Sequence, residues 1–205
     1  MHPNPAFRGT PRDQNLAFAR TRGFGMLVVH SDAGLLMSHI PFLVSEDGAF
    51  VDLHLVKSNP IARLGCKCEA AIAVTGGDAY ISPDWYGHDD QVPTWNYVAV
   101  HLRGRLEPLP DDTMREMLDR QSAGFESRLP KAPWTTDKMS ADVLERMMRQ
   151  ILPFRLTIED VQGTWKLNQN KPDNARRAAA ENVAESGLGT DTETLAAWMR
   201  NPPQT

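Results

Sequence analysis

Cysteine is scarce in this chain: only Cys66 and Cys68 occur in 205 residues. Two thiols one residue apart cannot build a disulfide framework, and they fall short of a structural zinc site unless histidines join them. On a strand they would share one face. Two reduced thiols in a cytosolic core are expected, since unoxidised Cys is among the most buried residue types. Long apolar runs are also missing; none approaches the ~20 residues that span a bilayer. The opening MHPNPAFRGTPRDQN lacks the apolar stretch of a signal peptide. A cytoplasmic, bacterial protein with no membrane partner is the expectation. Neither sign of charge dominates, with 22 Lys+Arg against 26 Asp+Glu. A domain that grips DNA phosphates unaided carries a net basic face, so direct DNA binding is doubtful. Hydrophobic residues at 41% and charged residues at 23% exclude a disordered chain or a collagen.

The common catalytic signatures are absent as well. There is no GxGxxG dinucleotide fingerprint, no GxxxxGK[ST] phosphate loop, no HExxH, no CxxC and no GxSxG. The six histidines are scattered, and none lies four residues from another on a predicted helix. A dedicated zinc hydrolase is therefore not expected.

What is present is a succession of short alternating segments, then helices. Pro11 to Arg22 reads as a helix stopped by Gly23. Phe24 to His30 and Leu35 to Val44 read as strands around the turn Ser31-Asp32-Ala33-Gly34, with Pro41 marking an edge or a bulge. In Ala49 to Leu55, Val51, Leu53 and Leu55 share one face and Phe50, Asp52 and His54 the other. Ala70 to Thr75, closed by Gly76-Gly77, and Ala79 to Ser82 read as a strand and its partner. Tyr97 to Leu106 alternates again. Asp111 to Phe125 and Ser140 to Leu152 read as helices. The second carries Val143, Leu144, Met147, Met148, Ile151 and Leu152 on one stripe. Phe154 to Ile158 returns as a strand. Asn174 to Ser186 is a polar, Ala-rich helix ending at Gly187, and Asp191 to Arg200 forms a last turn or two. The tail after Pro172 lacks a strong apolar stripe and is expected on the surface or on a partner subunit. Trp134 reads as a packing anchor, and Arg176 and Arg177 as solvated residues. The pattern is that of an α+β chain, a small antiparallel barrel with helices mainly in the C-terminal half.

Two segments concentrate unusual residues. One is Ser82-Pro83-Asp84-Trp85-Tyr86-Gly87 with Val92-Pro93-Thr94-Trp95-Asn96-Tyr97. The other is Gly163-Thr164-Trp165-Lys166-Leu167-Asn168-Gln169-Asn170-Lys171-Pro172, read as loop-like. Rings, amides and cations suit a flat, polar-edged, anionic ligand. They equally suit aromatic packing across a dimer interface.

The runs VPTWNYVAVHLRGRLE, SPDWYG and WKLNQNKP resemble the signature stretches of the PaiB family, described as FMN-binding negative transcriptional regulators. Ser38-His39-Ile40-Pro41 and Lys57-Ser58-Asn59-Pro60 resemble two shorter family stretches, with Lys57 departing from the small residues of its stretch. The likeness runs from about Phe24 to Pro172. It implies a Greek-key split β-barrel of the FMN-binding kind over residues 1–172, with 173–205 a helical tail on the barrel or the partner subunit. It also implies a homodimer holding FMN at the subunit interface. One subunit would supply the strands lining ring and phosphate, and the other would supply aromatic and polar groups. By the same resemblance, Ser38, His39, Ile40 and Pro41 flank the ring edge through backbone groups. His54, Lys57 and Asn59 meet the phosphate or ribityl chain. Trp95 and Asn96 border the ring, while Trp165, Lys166 and Gln169 close the site.

Two other readings stay open. One is an FMN-dependent reductase or oxidase acting on a small molecule, in which the flavin carries the hydride chemistry and no acid/base pair need appear. The other is a haem-binding or cofactor-free interaction module, with His39, His54 and His101 as candidate axial ligands and no CxxCH motif.

Overall fold

Alternation of apolar and polar side chains sets most of the architecture. The computed structural model describes residues 1–32, 34–65 and 67–203; Ala33 of the first predicted turn and Cys66 lie outside them. In chain order the elements are α1 (Arg12–Arg22), β1 (Phe24–Ser31), β2 (Gly34–Val44), β3 (Phe50–Val56), β4 (Cys68–Ile81) and β5 (Thr94–Pro108). There follow α2 (Met114–Glu126), α3 (Ala141–Met148), β6 (Ile151–Lys166), α4 (Asp173–Ser186), β7 (Gly189–Thr190) and α5 (Thr192–Arg200). The strands form one sheet in the order β1-β2-β3-β6-β5-β4-β7, and β1 pairs additionally with β4. Six strands thereby complete a hydrogen-bonded circuit, with β7 outside it. The α+β expectation, with antiparallel strands and helices mainly late in the chain, holds.

The chain divides into two compact units. A hairpin unit comprises Ala19–Ala73 and Leu102–Asp160; a terminal unit comprises Met1–Phe18, Val74–His101 and Val161–Thr205. In the hairpin unit β1 and β2 pair antiparallel from Phe24↔Pro41 to Ser31↔Gly34. Pro41 lies inside the ladder, and β2 continues through it to Val44. β3 joins β2 only over Val51–Leu53 against Phe42–Val44, and pairs with β6 from Phe50↔Thr157 to Val56↔Ile151. The inward rows Leu27 and Val29, Ile40 and Phe42, Val51, Leu53 and Leu55, and Phe154 and Leu156 are all buried. Met114 and Met117 of α2 and Leu144 of α3 join that core.

Several elements differ from the sequence expectation for identifiable reasons. Gly76 and Gly77 do not turn the chain; β4 runs straight through them. A Cβ on Gly76 would stand 2.9 Å from the Phe18 ring, and one on Gly77 2.7 Å from the Asp191 carbonyl oxygen. The pair makes room for packing. α3 ends at Met148, and Ile151 and Leu152, counted in its apolar stripe, instead pair with Val56 and Leu55. β6 extends through Gly163 to Lys166, so the first half of the supposed loop is strand.

In the terminal unit the tail is not a surface appendage. Ala175, Ala179, Ala180 and Val183 of α4 are buried, as are Leu195, Ala196 and Met199 of α5. The two helices pack on each other, and α4 packs on the short 3-10 turn Pro83–Tyr86. Small residues permit this close approach without a conspicuous apolar stripe. Arg176 is buried, not solvated. Its guanidinium donates to the Met199 and Arg200 carbonyls at the end of α5, and to Asp173 at 2.8 Å.

Candidate functional site

The twelve residues singled out from the sequence fall into two groups, one in each unit. Seven lie in the hairpin unit. On β2, Ile40 is core, 2% exposed. Ser38 is half-buried, His39 exposed and Pro41 half-buried. His39 stacks on Phe24 with ring centroids 6.2 Å apart. Asn59 closes the turn after β3, and its Nδ2 donates to Ser38 Oγ at 3.0 Å. Its Oδ1 accepts from the Ile61 backbone N–H at 2.9 Å. Residues 21 positions apart are thus brought together.

His54 is half-buried on β3, opposite Pro153. Burial lowers its pKa, and the nearby Gln121 side chain opposes that shift. Neither His54 Nδ1 nor Gln121 Nε2 reaches hydrogen-bond geometry with a partner among the described residues. His54 borders a cavity of about 380 Å³ shared with Leu118, Trp134, Met139, Leu144 and Met148. Trp134 therefore packs on this cavity's wall. Lys57 is exposed at the end of β3, on the rim of a cleft that also holds Asp111, Asp112, Arg115, Glu145 and Arg149.

The remaining five lie in the terminal unit. Trp95 is 46% exposed and meets Tyr80 edge-on, with centroids 6.4 Å apart. Asn96 is wholly buried; its Nδ2 faces Met199 Sδ at 3.5 Å and its Oδ1 has no partner among the described residues. Trp165 is buried in an aromatic cluster with Phe18 and Trp198, at centroid distances of 5.5 and 5.3 Å. Its Nε1–H donates to Asn15 Oδ1 at 2.8 Å. Gly163 makes space for that amide, because a Cβ there would lie 2.1 Å from Asn15 Oδ1. Lys166 is half-buried; its Nζ donates to Thr94 Oγ1, and burial lowers its pKa. Gln169 folds back on its own segment, donating to the Trp165 carbonyl at 2.5 Å and accepting from the Leu167 N–H at 2.8 Å.

Sequence reasoning passed over two polar clusters. Asp52, placed on the face opposite the apolar row of β3, is 1% exposed. Its carboxylate accepts from Arg155 Nε and Nη2 at 2.7 and 3.0 Å, and from Arg120 Nη2 at 2.7 Å. Arg155 also lies 3.6 Å above the Phe50 ring centre. No local signal could announce partners 68 and 103 residues away. The second cluster is Asn168 with Tyr86, whose hydroxyl donates to Asn168 Oδ1 at 3.3 Å. Here the density of amides in WKLNQNKP was the visible signal. No group of three His, Cys, Asp or Glu able to hold a metal occurs among the described residues. No helix among them is long and apolar enough to cross a membrane.

Comparison with known proteins places this geometry in context. Residues 1–160 match a family described as "Putative FMN-binding domain". The protease synthase and sporulation protein PAI 2 of Bacillus subtilis (strain 168) is 32% identical over 168 residues, covering 80% of each chain. Two solved structures share the fold. The FAD and heme binding protein from Mycobacterium smegmatis superposes with a TM-score of 0.57 at 18% identity, over 89% of this chain and 82% of that one. The flavocytochrome Anf3 from Azotobacter vinelandii gives 0.55 at 13% identity, over 100% and 79%.

Proposed function

The chain belongs to the PaiB-type FMN-binding family, and from that membership we propose that it works as a homodimeric, flavin-responsive negative regulator of transcription with FMN held at the subunit interface. FMN is the cofactor. The hairpin unit suits it by the chemistry of its groups. From Gly34 to Pro41, β2 has a strand partner on one side only, because β3 joins it first at Phe42. Backbone groups alternate along such an edge, so those of His39 and the Pro41 carbonyl are available to a ring edge, with Ser38 and Ile40 bonded toward β1. Lys57 brings an exposed cation for the phosphate. His54 Nδ1, buried and unpartnered among the described residues, and Asn59 suit the ribityl chain. Trp95 offers an exposed ring face. With the half-buried Lys166 and Gln169, it would close the site from the second subunit. Bound FMN supplies hydride and single-electron chemistry, while the chain binds, orients and shields it.

One observation carries the dimer. The outward row of β2 holds Leu35 and Met37, 64% and 65% exposed, and continues through His39 to Phe24 of β1, 49% exposed and paired with Pro41. In the ladder these outward residues face His30, Val28 and Pro41 on the neighbouring strand. Scattered exposed apolar residues are ordinary, whereas a contiguous patch marks an interaction surface. The patch carries His39 and Pro41 at one end, so a dimer formed on it would bring the proposed ring edge to the interface.

The test is Met37→Glu, with light scattering for subunit number and a fluorescence titration for FMN. We expect a wild-type dimer that persists without flavin, and a monomeric variant whose FMN affinity falls by about tenfold or more, roughly 1.4 kcal/mol. A monomeric wild type, or a monomeric variant that binds FMN normally, overturns the interface site.

A further inference from the structure

A cavity in the terminal unit has chemistry that the flavin reading, Lys166 apart, leaves unused. It measures about 250 Å³ and is lined by His2, Tyr86, Lys166, Asn168, Asn170 and Lys171 among others. Pockets for drug-sized ligands run to about 300–1,000 Å³, so this one suits a compact group better than a whole flavin.

Its cationic groups meet only neutral acceptors. Lys171 Nζ donates to the neutral Gln91 side chain and lies 5.0 Å over the Tyr86 ring. Lys166 Nζ donates to the neutral Thr94 hydroxyl. Among the described residues, neither ammonium forms an ion pair with a carboxylate. Asn168 is 2% exposed, and its Nδ2 has no partner among the described residues. Its backbone sits at φ +61°, the left-handed region that asparagine enters more readily than other non-glycine residues. His2 Nδ1 accepts from the Asn4 N–H at 3.1 Å, which leaves the ring proton on Nε2 as a donor. Burial, then the charges of Lys166 and Arg8, lower the His2 pKa. The side chains of two lysines, an amide with an unpartnered buried N–H and an imidazole thus line one small space. Acceptor-only oxyanions complement such a donor set.

We propose that this cavity binds the phosphate group of a small ligand other than the flavin. The proposal shares only Lys166 with the flavin reading and does not rest on it. Inorganic phosphate is the probe, titrated by calorimetry into flavin-free and FMN-loaded protein. Wild type should take up phosphate in both states with Kd below about 1 mM. Lys171→Met should weaken phosphate binding about tenfold while leaving FMN affinity within about twofold. Asn168→Asp, which exchanges the free donor for an anionic acceptor, should abolish phosphate uptake with the far-UV circular dichroism unchanged. Absence of phosphate binding to wild type overturns the proposal. So does FMN displacing phosphate together with Lys171→Met losing both, since the cavity would then seat the flavin's own phosphate. Phosphate binding without any FMN uptake supports this site while overturning the flavin reading.

Discussion

In the hairpin unit a buried carboxylate, Asp52, is held between Arg155 and Arg120. In the terminal unit the buried side chains Asn15, Asn96 and Asn168 are uncharged, and they meet an indole N–H, a thioether and a phenol. Arg176, also buried there, is met largely by backbone carbonyls. The two arrangements fail differently. Removing one member of a buried ion pair strands a charge, at roughly 3–5 kcal/mol. Removing one member of a neutral pair strands a dipole, at roughly 1–3 kcal/mol.

The strongest way to break this contrast is Asp52→Ala. Both guanidinium groups retain some contact with water, so the loss should fall near the lower end of that range, about 3 kcal/mol, read as a shift of the urea midpoint. Asn15→Leu comes next. It leaves the Trp165 indole N–H without its acceptor and should cost about 2 kcal/mol. A larger loss from Asn15→Leu than from Asp52→Ala would reverse the comparison.

The histidines sharpen it further, one in each unit. The folded-state pKa of His54 lies below the ordinary 6.5 because the ring is buried. As pH falls, the unfolded chain takes up that proton first. The His54 contribution is therefore intact above pH 6.5 and is lost as pH falls below it. His54→Gln should flatten that part of the stability profile. His2 shifts in the same direction but is far less enclosed, so His2→Gln should flatten it less. The smallest effect belongs to the exposed Glu145–Arg149 pair of the hairpin unit, 3.0 Å apart. Glu145→Gln should change the urea midpoint by no more than about 0.5 kcal/mol.

Local pattern carried the strands a long way. The alternation of Val51, Leu53 and Leu55 gave the buried face of β3, and Val98, Val100 and Leu102 did the same for β5. It failed where two periodicities overlapped. Met147 and Met148 continue into Ile151 and Leu152 at helical spacing, yet Ile151 and Leu152 are strand residues, because pairing with β3 decided the matter. The buried faces of the terminal helices were not legible, because alanines bury well without looking like a core. At the site, sequence could nominate Ser38 and Asn59 but not their hydrogen bond. It nominated His54 on the polar face of β3 but could not find the partners of Asp52 on that face, because Arg120 and Arg155 lie far along the chain. Trp95 and Trp165 read alike in sequence, yet one is 46% exposed and the other 4%. Only tertiary packing separates a ring that can stack on a ligand from one that cannot.

The β3–β6 pairing has a consequence for biosynthesis. Phe50 pairs with Thr157, so β3 is made about a hundred residues before its partner exists. At ~5–20 residues per second, that edge waits on the order of 5–20 s on the ribosome. During the interval the β6-facing edge of β3, with Val51, Leu53 and Leu55, stays open, a strand-prone edge of the kind that recruits other chains. Asp52 and His54 interrupt it. A carboxylate and an imidazole set between hydrophobic neighbours act as gatekeepers against aggregation, so Asp52 protects the nascent chain before either arginine reaches it.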